Sequence, residues 1–174
     1  MEFELLFLIQ NYLRNVFLDS FFLGLSKIAG DLGQFWVILA VASICSKKTR
    51  KCGFSVLLTY LLIFVFGQYV LKDYLMRPRP CHLNETVDMI VKCSSSYSCP
   101  STHTAWAFGG ATAIFLHDKR FGILTYVFAA LIGFSRMYLF VHFPTDVLFG
   151  ALLGIVLAIL AVKFTGFVFK KLKI

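Results

Sequence analysis

The sequence is divided into long apolar runs by short clusters of lysine and arginine. Runs such as residues 53–71 and 144–168 reach about 20 residues, the length that an α-helix needs to cross a hydrocarbon core of ~30 Å. Inside a bilayer the backbone must satisfy its own hydrogen bonds, so runs of this kind predict helices. We therefore expect an all-α, polytopic membrane helix bundle.

The composition also favours a membrane protein. Apolar residues make up 59% of the 174 residues and charged residues 15%, against roughly 45–50% and 25% in ordinary globular proteins. One small core cannot bury so much apolar surface, whereas a bilayer can solvate it. The length predicts a single domain over residues 1–174.

The apolar runs predict about six transmembrane helices. They lie at residues 3–29, 32–46, 53–71, 102–116, 121–140 and 144–168. Asn11, Arg14, Asp19 and Lys27 interrupt the first run, so the sequence leaves open whether it crosses the membrane or lies partly in the interface. If the first run does not cross, five passes remain and only the N-terminus changes side.

The basic clusters predict the orientation of the chain. Clusters at residues 47–51, 119–120 and 170–173 fall on one side of the predicted bundle, and the positive-inside rule makes that side cytoplasmic. Segments 72–100 and 136–146 then face the opposite side together. We expect an integral protein of a bacterial inner membrane, with these polar segments at the outer, periplasmic boundary.

The net charge of +8 does not indicate a nucleic-acid partner. A nucleic-acid binder spreads its cations along a solvated face, whereas these cations sit in short clusters between apolar runs.

Glycines within two of the runs predict close helix packing. Gly150 and Gly154 form a G-x-x-x-G pair, and Gly109 and Gly110 lie in the middle of another run. Small residues let the backbones of membrane helices approach each other. A groove widened for a lipid tail is the alternative interpretation.

Three polar clusters gather at the predicted outer ends of the helices, at residues 72–80, 99–103 and 135–146. Charged groups at membrane depth are costly, so they favour a functional interpretation. Taken singly, each cluster also has a structural explanation, because cations commonly anchor helix ends at the membrane interface. The convergence of all three clusters at one boundary favours a functional site.

The cations of these clusters predict a phosphate-binding site. Lys72, Arg79 and Arg136 have no matching surplus of carboxylates, and their side chains suit phosphate oxygens. Ser101 follows Pro100 and is a natural N-cap for an apolar helix. The free amides at such a helix start also attract anions.

Two histidines accompany the predicted phosphate site. His142 and Asp146 are four residues apart, and Pro144 suits a first helical turn, so the pair can share one face of a helix start. A carboxylate that orients one imidazole nitrogen makes the other a better nucleophile. We therefore predict that His142 attacks phosphorus, that His103 protonates the leaving oxygen, and that the cations stabilise the transition state.

Two other classes of function remain as alternatives. A transporter or channel would carry polar residues along the middles of its helices, whereas here they collect at one end. A catalytically inactive lipid-binding protein would have lost the nucleophile or the acid, whereas His142, His103 and Asp146 are all present.

The motifs K-x6-R-P, P-S-x-H and S-R-x5-H-x3-D occur in this order and resemble the signature of the type 2 phosphatidate phosphatase superfamily. The resemblance covers about residues 60–160. The matching residues are Lys72, Arg79, Pro80, Pro100, Ser101, His103, Ser135, Arg136, His142 and Asp146. At the x of P-S-x-H this sequence has Thr102, where the family usually has glycine; threonine costs little there if the position is helical.

The resemblance implies a six-helix membrane fold and a phosphohistidine intermediate on His142. It implies that His103 is the general acid, that Asp146 orients His142, and that the reaction needs no metal or other cofactor. The predicted phosphate-binding residues are Lys72, Arg79, Ser101, Thr102, Ser135 and Arg136. Arg77 lies outside the signature; we interpret it as a contact of bulk lipid phosphate or solvent, or alternatively of a second phosphate or a sugar headgroup.

The five cysteines divide between the two sides. Cys81, Cys93 and Cys99 lie in the outer segment, where one disulfide can form in an oxidising compartment and three pairings are possible. Cys45 and Cys52 flank an inner loop and are predicted to be free. His82 and the outer thiols lack the paired spacing of a zinc site.

The predicted substrate is a lipid whose phosphate stays in the headgroup layer while its tail stays in the bilayer. Small bacterial members of the superfamily act on lipid A 1-phosphate, undecaprenyl diphosphate, phosphatidylglycerol phosphate or phosphatidate. The short chain and short outer loop look most similar to the lipid A 1-phosphatase and undecaprenyl-diphosphate phosphatase branches. Lipid A 1-phosphate is our first expectation and the others are alternatives; the sequence does not predict the oligomeric state.

Overall fold

The computed structural model describes residues 1–30, 33–84 and 86–173, and in these residues it contains helices and no strand. The predicted all-α class is confirmed. The elements are α1 (Glu2–Tyr12), α2 (Val16–Ala29), α3 (Gln34–Ile44), α4 (Arg50–Ile63), a π-helical segment (Phe64–Leu71), α5 (Lys72–Leu75), α6 (Pro80–Leu83), α7 (Thr102–His117), α8 (Lys119–Tyr138) and α9 (Pro144–Leu172).

Three helical stretches of the described chain are long and apolar enough to cross a membrane. They are Arg50–Leu83, Lys119–Tyr138 and Pro144–Leu172. A fourth span is obtained if α2 and α3, which are bent by 50° relative to each other, count as one broken helix. The protein is therefore an integral membrane helix bundle, but length and apolar character give fewer spans than the six predicted.

Helix α7 explains one of the missing spans, because it is short and buried inside the bundle. Its 16 residues correspond to about 24 Å of helix, less than the ~30 Å hydrocarbon core. It still joins the two ends of the bundle. At its start the Ser101 N–H donates to the Asp146 carbonyl at 3.1 Å, and at its end His117 contacts Ser55.

The first apolar run is not one helix, which corrects the expected segment 3–29. Asn15 interrupts it and caps α2 by accepting a hydrogen bond from the Leu18 N–H at 3.0 Å. Helix α1 lies against the end of the bundle that carries the α8–α9 connection, where Gln10 donates to the Tyr138 carbonyl at 2.8 Å. This position of α1 agrees with the five-pass alternative.

The second run was expected to begin at Leu32, after a turn at Asp31 and Gly33. Asp31 and Leu32 lie outside the described residues, and α3 begins at Gln34.

The predicted close packing of helices at glycine is confirmed. A Cβ atom on Gly154 would lie 2.2 Å from the Ala105 carbonyl oxygen, and one on Gly150 would lie 2.4 Å from that of Ser101. Helix α9 can therefore approach α7 only because both positions lack a side chain. This contact holds the polar starts of α7 and α9 side by side.

The basic clusters all lie at the opposite end of the bundle. There Phe54 of α4 packs on Phe169 of α9 with ring centroids 5.7 Å apart, and Lys51 lies close to Gly166. The clusters therefore share one end, as expected, and we call it the basic end. We call the end that carries residues 72–80, 96–103 and 135–146 the catalytic end, because the residues predicted to be catalytic lie there.

Candidate active site

Residues 72–80 are shaped to turn two arginines towards the start of α9. Helix α5 stops at Met76, whose φ of 46° is left-handed. Proline at position 78 disfavours helical conformation at Arg77, and α6 begins at Pro80. Side chains two residues apart on an extended segment point the same way, so Arg77 and Arg79 both reach the α8–α9 connection.

Arg79 is buried and connects the loop before α7 to the loop before α9. Its Nε donates to the Ser96 carbonyl at 2.7 Å, and its Nη2 donates to the Ser96 hydroxyl at 2.9 Å. Its Nη1 donates to the Val141 carbonyl at 3.0 Å and lies 3.2 Å from His142 Nε2. The guanidinium is thereby fixed directly in front of the histidine.

Lys72 converges on the same point. Its side chain is only 3% exposed, and its Nζ donates to the Ser96 hydroxyl at 3.4 Å. These hydrogen bonds of Lys72 and Arg79 go to carbonyl, hydroxyl and imidazole groups, which carry no negative charge. Buried charges are normally compensated, so two adjacent buried cations favour the binding of an anion.

His142 lies in the connection between α8 and α9 rather than on a helix. Phe140 takes a left-handed φ of 57°, and the Val141 and His142 N–H groups both donate to the Arg136 carbonyl, at 3.1 and 3.3 Å. Burial is the main cause that lowers the pKa of the His142 imidazole well below its usual value, against the opposing effect of Asp146. The imidazole is therefore neutral at physiological pH.

The contacts of His142 indicate which imidazole nitrogen is protonated. Arg79 can only donate, so we assign Nε2 as the acceptor and Nδ1 as the protonated nitrogen. Nδ1 lies 3.4 Å from the Ser98 hydroxyl and 3.8 Å from Asp146 Oδ2. Nε2, which faces the cations, therefore carries the in-plane lone pair of the imidazole.

Asp146 is fully buried at the third position of α9. Its Oδ2 accepts from the Phe143 N–H at 2.8 Å and from the Ser98 hydroxyl at 2.5 Å. At 3.8 Å the two side chains of Asp146 and His142 are too far apart for a direct hydrogen bond, and the Ser98 hydroxyl contacts both of them. The expected shared helix face is wrong, since α9 begins after His142.

Helix α7 brings the second predicted histidine to the same end. His103 lies in the first turn of α7, half-buried, with its ring 6.0 Å from that of Trp106. It lies within electrostatic reach of Arg136 and His142. The fold therefore unites the two histidines, which are 39 positions apart in the sequence (142 − 103 = 39).

Ser101 and Thr102 form the start of α7. Ser101 occupies the N-cap position as expected, but its hydroxyl pairs with the Thr104 hydroxyl at 2.9 Å instead of capping the backbone. Thr102 is the first helical residue, so threonine is tolerated where the family usually has glycine. Its hydroxyl donates to Gln68 Oε1 at 3.2 Å.

Ser135 and Arg136 are buried in the last turn of α8. The Ser135 hydroxyl donates to the Ile132 carbonyl at 2.7 Å and accepts from Arg136 Nε and Nη2 at 3.1 and 3.0 Å. The Arg136 carbonyl also holds the His142 backbone, so this pair shapes the loop that carries the histidine.

A family model described as the PAP2 superfamily matches residues 52–170, which include every predicted site residue. The chain belongs to the PAP2 superfamily. The resemblance stated from the sequence motifs is thereby confirmed.

The relatives of this chain include proteins named as phosphatases. An undecaprenyl-diphosphatase of Sulfolobus acidocaldarius is 29% identical over 159 residues, which cover 91% of this chain and 76% of the relative. The crystal structure of Aquifex aeolicus LpxE matches with a TM-score of 0.74 and 30% identity, covering 93% of this chain and 94% of that chain. A transmembrane PAP2-type phosphatidylglycerolphosphate phosphatase from Bacillus subtilis matches with a TM-score of 0.69 and 30% identity, covering 87% and 78%.

Several residues of this PAP2 site were not predicted from the sequence. Ser96 binds both Lys72 and Arg79, and Ser98 binds Asp146. The only sequence signal was the serine-rich patch at residues 94–98, which indicates a loop but not a site.

The favoured interpretation of Arg77 as a contact of bulk lipid phosphate or solvent is wrong. Arg77 Nη1 donates to Asp146 Oδ1 at 2.7 Å, and Nη2 forms an ion pair with Glu2. Both partners are carboxylates of this chain, so the guanidinium is already engaged.

Segment 72–100 of this PAP2 protein contains one disulfide, between Cys81 and Cys93. It joins α6 to the loop that carries Ser96 and Ser98, and it resolves the pairing that the sequence left open. Cys45, Cys52 and Cys99 are free, as predicted for the first two. Because both thiols near His82 are oxidised, they offer no thiolate ligands for a metal at that cluster.

Proposed function

We propose that this protein is a membrane lipid phosphatase that removes phosphate from a lipid headgroup through a phosphohistidine on His142. The observation that carries the proposal is the position of His142 Nε2, 3.2 Å from Arg79 and beside buried Lys72. A phosphate that neutralises the two cations would lie in front of a neutral imidazole. This arrangement favours phosphoryl transfer to nitrogen.

The proposed reaction has two steps. In the first, the Nε2 lone pair attacks phosphorus, the bond from phosphorus to the ester or anhydride oxygen breaks, and His103, protonated beside the bound phosphate anion, donates its proton to the departing oxygen. In the second, His103 removes a proton from water, the hydroxide attacks the phosphohistidine, and the N–P bond breaks to release inorganic phosphate. Both histidines return to their starting protonation states.

The remaining groups have supporting roles in this proposal. The imidazole becomes positively charged when Nε2 is phosphorylated, and Asp146, acting through Ser98, stabilises the proton on Nδ1. Lys72, Arg79 and Arg136 stabilise the negative charge on the phosphoryl oxygens, and the helix start at Ser101 and Thr102 faces the same end.

We further propose that the reaction is independent of metal ions. The groups proposed to meet the phosphate are nitrogen cations, which supply the positive charge that a divalent ion supplies in other phosphatases. A metal ion beside His142 would need carboxylate ligands. The nearby carboxylate of Asp146 already accepts hydrogen bonds from Ser98, Phe143 and Arg77.

The finer substrate assignment is also a proposal. Lipid A 1-phosphate is ranked first, on the sequence resemblance and the short outer loop. Undecaprenyl diphosphate is the principal alternative, supported by the named activity of the Sulfolobus relative. Phosphatidylglycerophosphate is the next, supported by the named activity of the Bacillus structure.

For location we propose a bacterial inner membrane with the catalytic end facing the periplasm. The support is the position of the lysine clusters at the basic end, which the positive-inside rule assigns to the cytoplasm.

Phosphate release by the purified protein tests the proposal. The protein in detergent micelles with a chelator would be offered lipid A, undecaprenyl diphosphate, phosphatidylglycerophosphate and phosphatidate, with His142→Ala as control. We expect release that the variant loses, fastest from lipid A. If the folded protein released no phosphate from any of these lipids, the phosphatase assignment would be contradicted. If a divalent ion were needed to restore phosphate release, metal independence would be contradicted.

A further inference from the structure

Arg77 forms a link between the proposed catalytic carboxylate and the first helix. Its Nη1 donates to Asp146 Oδ1 and to the Thr145 hydroxyl, both at 2.7 Å. Its Nη2 pairs with Glu2 Oε2 at 2.5 Å. Glu2 Oε1 in turn accepts from the Thr145 hydroxyl at 2.6 Å. Helix α1 therefore reaches the start of α9 on the side of Asp146 away from His142.

The contacts around Arg77 form a closed ring with the site. The Ser98 N–H donates to the Arg77 carbonyl at 2.8 Å, and the Ser98 hydroxyl donates to Asp146 Oδ2. Arg77 then returns to Asp146 through its guanidinium on Oδ1. Arg77 thus binds Oδ1 of Asp146 directly. Its carbonyl also holds the backbone of Ser98, the residue whose hydroxyl binds Oδ2.

Aromatic packing holds the same link from outside the ring. The Arg77 guanidinium lies 4.3 Å above the centre of the Phe143 ring. Phe3 of α1 packs edge-on against Phe143, with centroids 5.1 Å apart. Helix α1 therefore contributes both a charge and an aromatic ring to the segment that begins α9.

These contacts assign Arg77 a positioning role rather than a substrate-binding role. A fully buried carboxylate is costly unless each oxygen is satisfied, and Arg77 is the charged partner on Oδ1 of Asp146. Both terminal nitrogens of Arg77 are already engaged, by Asp146, Thr145 and Glu2.

We propose that Arg77 holds Asp146 in the orientation that serves His142, and that Glu2 holds Arg77, so helix α1 completes the catalytic end. This inference rests on the proposed function, in which Asp146 supports His142. It adds two residues outside the recognised motifs, one of them 144 positions from Asp146 in the sequence (146 − 2 = 144).

The first test compares two arginines at the catalytic end. Arg77→Met is expected to lower kcat about 10-fold or more and leave KM within about twofold, because it acts through another residue. Arg77→Lys, which retains a charge, is expected to recover part of the loss. Arg14→Met is the matched control, since Arg14 is similarly exposed and pairs with Asp19 instead.

The second test uses two glutamates of α1. Glu2→Gln is expected to lower kcat about threefold, and Glu4→Gln, which removes an exposed carboxylate, to leave it unchanged. In the Arg77→Met background Glu2→Gln is expected to have no further effect, because its influence passes through Arg77.

Several outcomes would overturn the inference. An increase in KM at unchanged kcat would make Arg77 a substrate contact. An equal loss in Arg14→Met would indicate general destabilisation, and equal effects of Glu2→Gln in both backgrounds would remove the link to α1. If Arg77→Met does not fold, the same comparisons are made with Arg77→Lys, alone and combined with Glu2→Gln, and their kcat values test the inference. An active parent with unaffected variants would refute this inference alone, whereas a parent inactive on every lipid would refute the proposed function.

Discussion

The two ends of the bundle use the same residue types in opposite ways. The catalytic end buries Lys72 and Arg79 and connects them to a histidine that is 2% exposed. The basic end has lysines that are exposed without exception, and its histidine, His117, pairs only with the Ser55 hydroxyl at 3.0 Å among the hydrogen bonds described. Charge and histidine content alone would not distinguish the two ends.

Burial, rather than composition, therefore determines whether these cations favour the binding of an anion. An exposed lysine is solvated by water or lipid headgroups and gains little from any one anion. A buried cation with neutral partners lacks that solvation, so an anion that enters gains a strong interaction. Matched substitutions at the two ends test whether the buried and exposed groups differ in function.

The largest difference is expected between substitutions of His142 at the catalytic end and His117 at the basic end. His142→Gln should reduce turnover by about 1,000-fold or more, because the proposed nucleophile is removed. His117→Gln should leave turnover within about twofold, since His117 lies at the other end of α7. Initial rates of phosphate release would measure both, and a comparable loss in the two variants would show that the ends are not functionally distinct.

The next effect separates two arginines. Arg79→Lys should lower kcat by about 100-fold, because lysine cannot bond Ser96, Val141 and the phosphate at once. Arg50→Lys at the basic end should be neutral. Steady-state kinetics on the preferred lipid are the measurement, and near-normal rates for Arg79→Lys would mean that charge alone suffices.

A smaller effect separates two fully buried serines, Ser98 and Ser55. Ser98→Ala should lower kcat about 10-fold at similar KM, because it removes the hydroxyl between Asp146 and His142. Ser55→Ala removes the partner of His117 and should change kcat less than twofold. Equal losses in both variants would mean that the serines act through folding stability.

The smallest effect concerns binding alone. Inorganic phosphate at about ten times its Kd should raise the thermal midpoint of the parent by about 2–5 °C. The shift should vanish in Lys72→Met and persist in Lys171→Met, whose site is exposed at the basic end. Thermal unfolding monitored by fluorescence would show it, and a shift retained in Lys72→Met would place the anion elsewhere.

Much of the architecture was predictable because it depends on local pattern. Apolar run length gave the helices, and Gly150 and Gly154 gave the close contact of α9 with α7. The break in the first run was not predictable, since polar residues such as Asn11 and Arg14 suit either an interrupted span or an interfacial helix. Only the contacts of α1 with Thr145 and Tyr138 decide between them.

The residue types that gather at the catalytic end were predictable, but the contacts between them were not. Ser98 and Arg77 reach Asp146 across 48 and 69 residues of sequence. Such contacts depend on how the loops fold over the helix starts, and no local spacing encodes them. The contact of Asp146 with His142 through Ser98 was unpredictable for the same reason, because Ser98 belongs to a distant loop.

Trapping the covalent intermediate tests the central claim most directly. The parent protein would be mixed with its fastest lipid substrate, quenched in alkali to preserve phosphohistidine, and its peptides examined by mass spectrometry. We expect one acid-labile phosphoryl group on the peptide that contains His142, absent in His142→Gln. Rapid turnover with no phosphate on His142, or with the phosphoryl group on another residue, would contradict it.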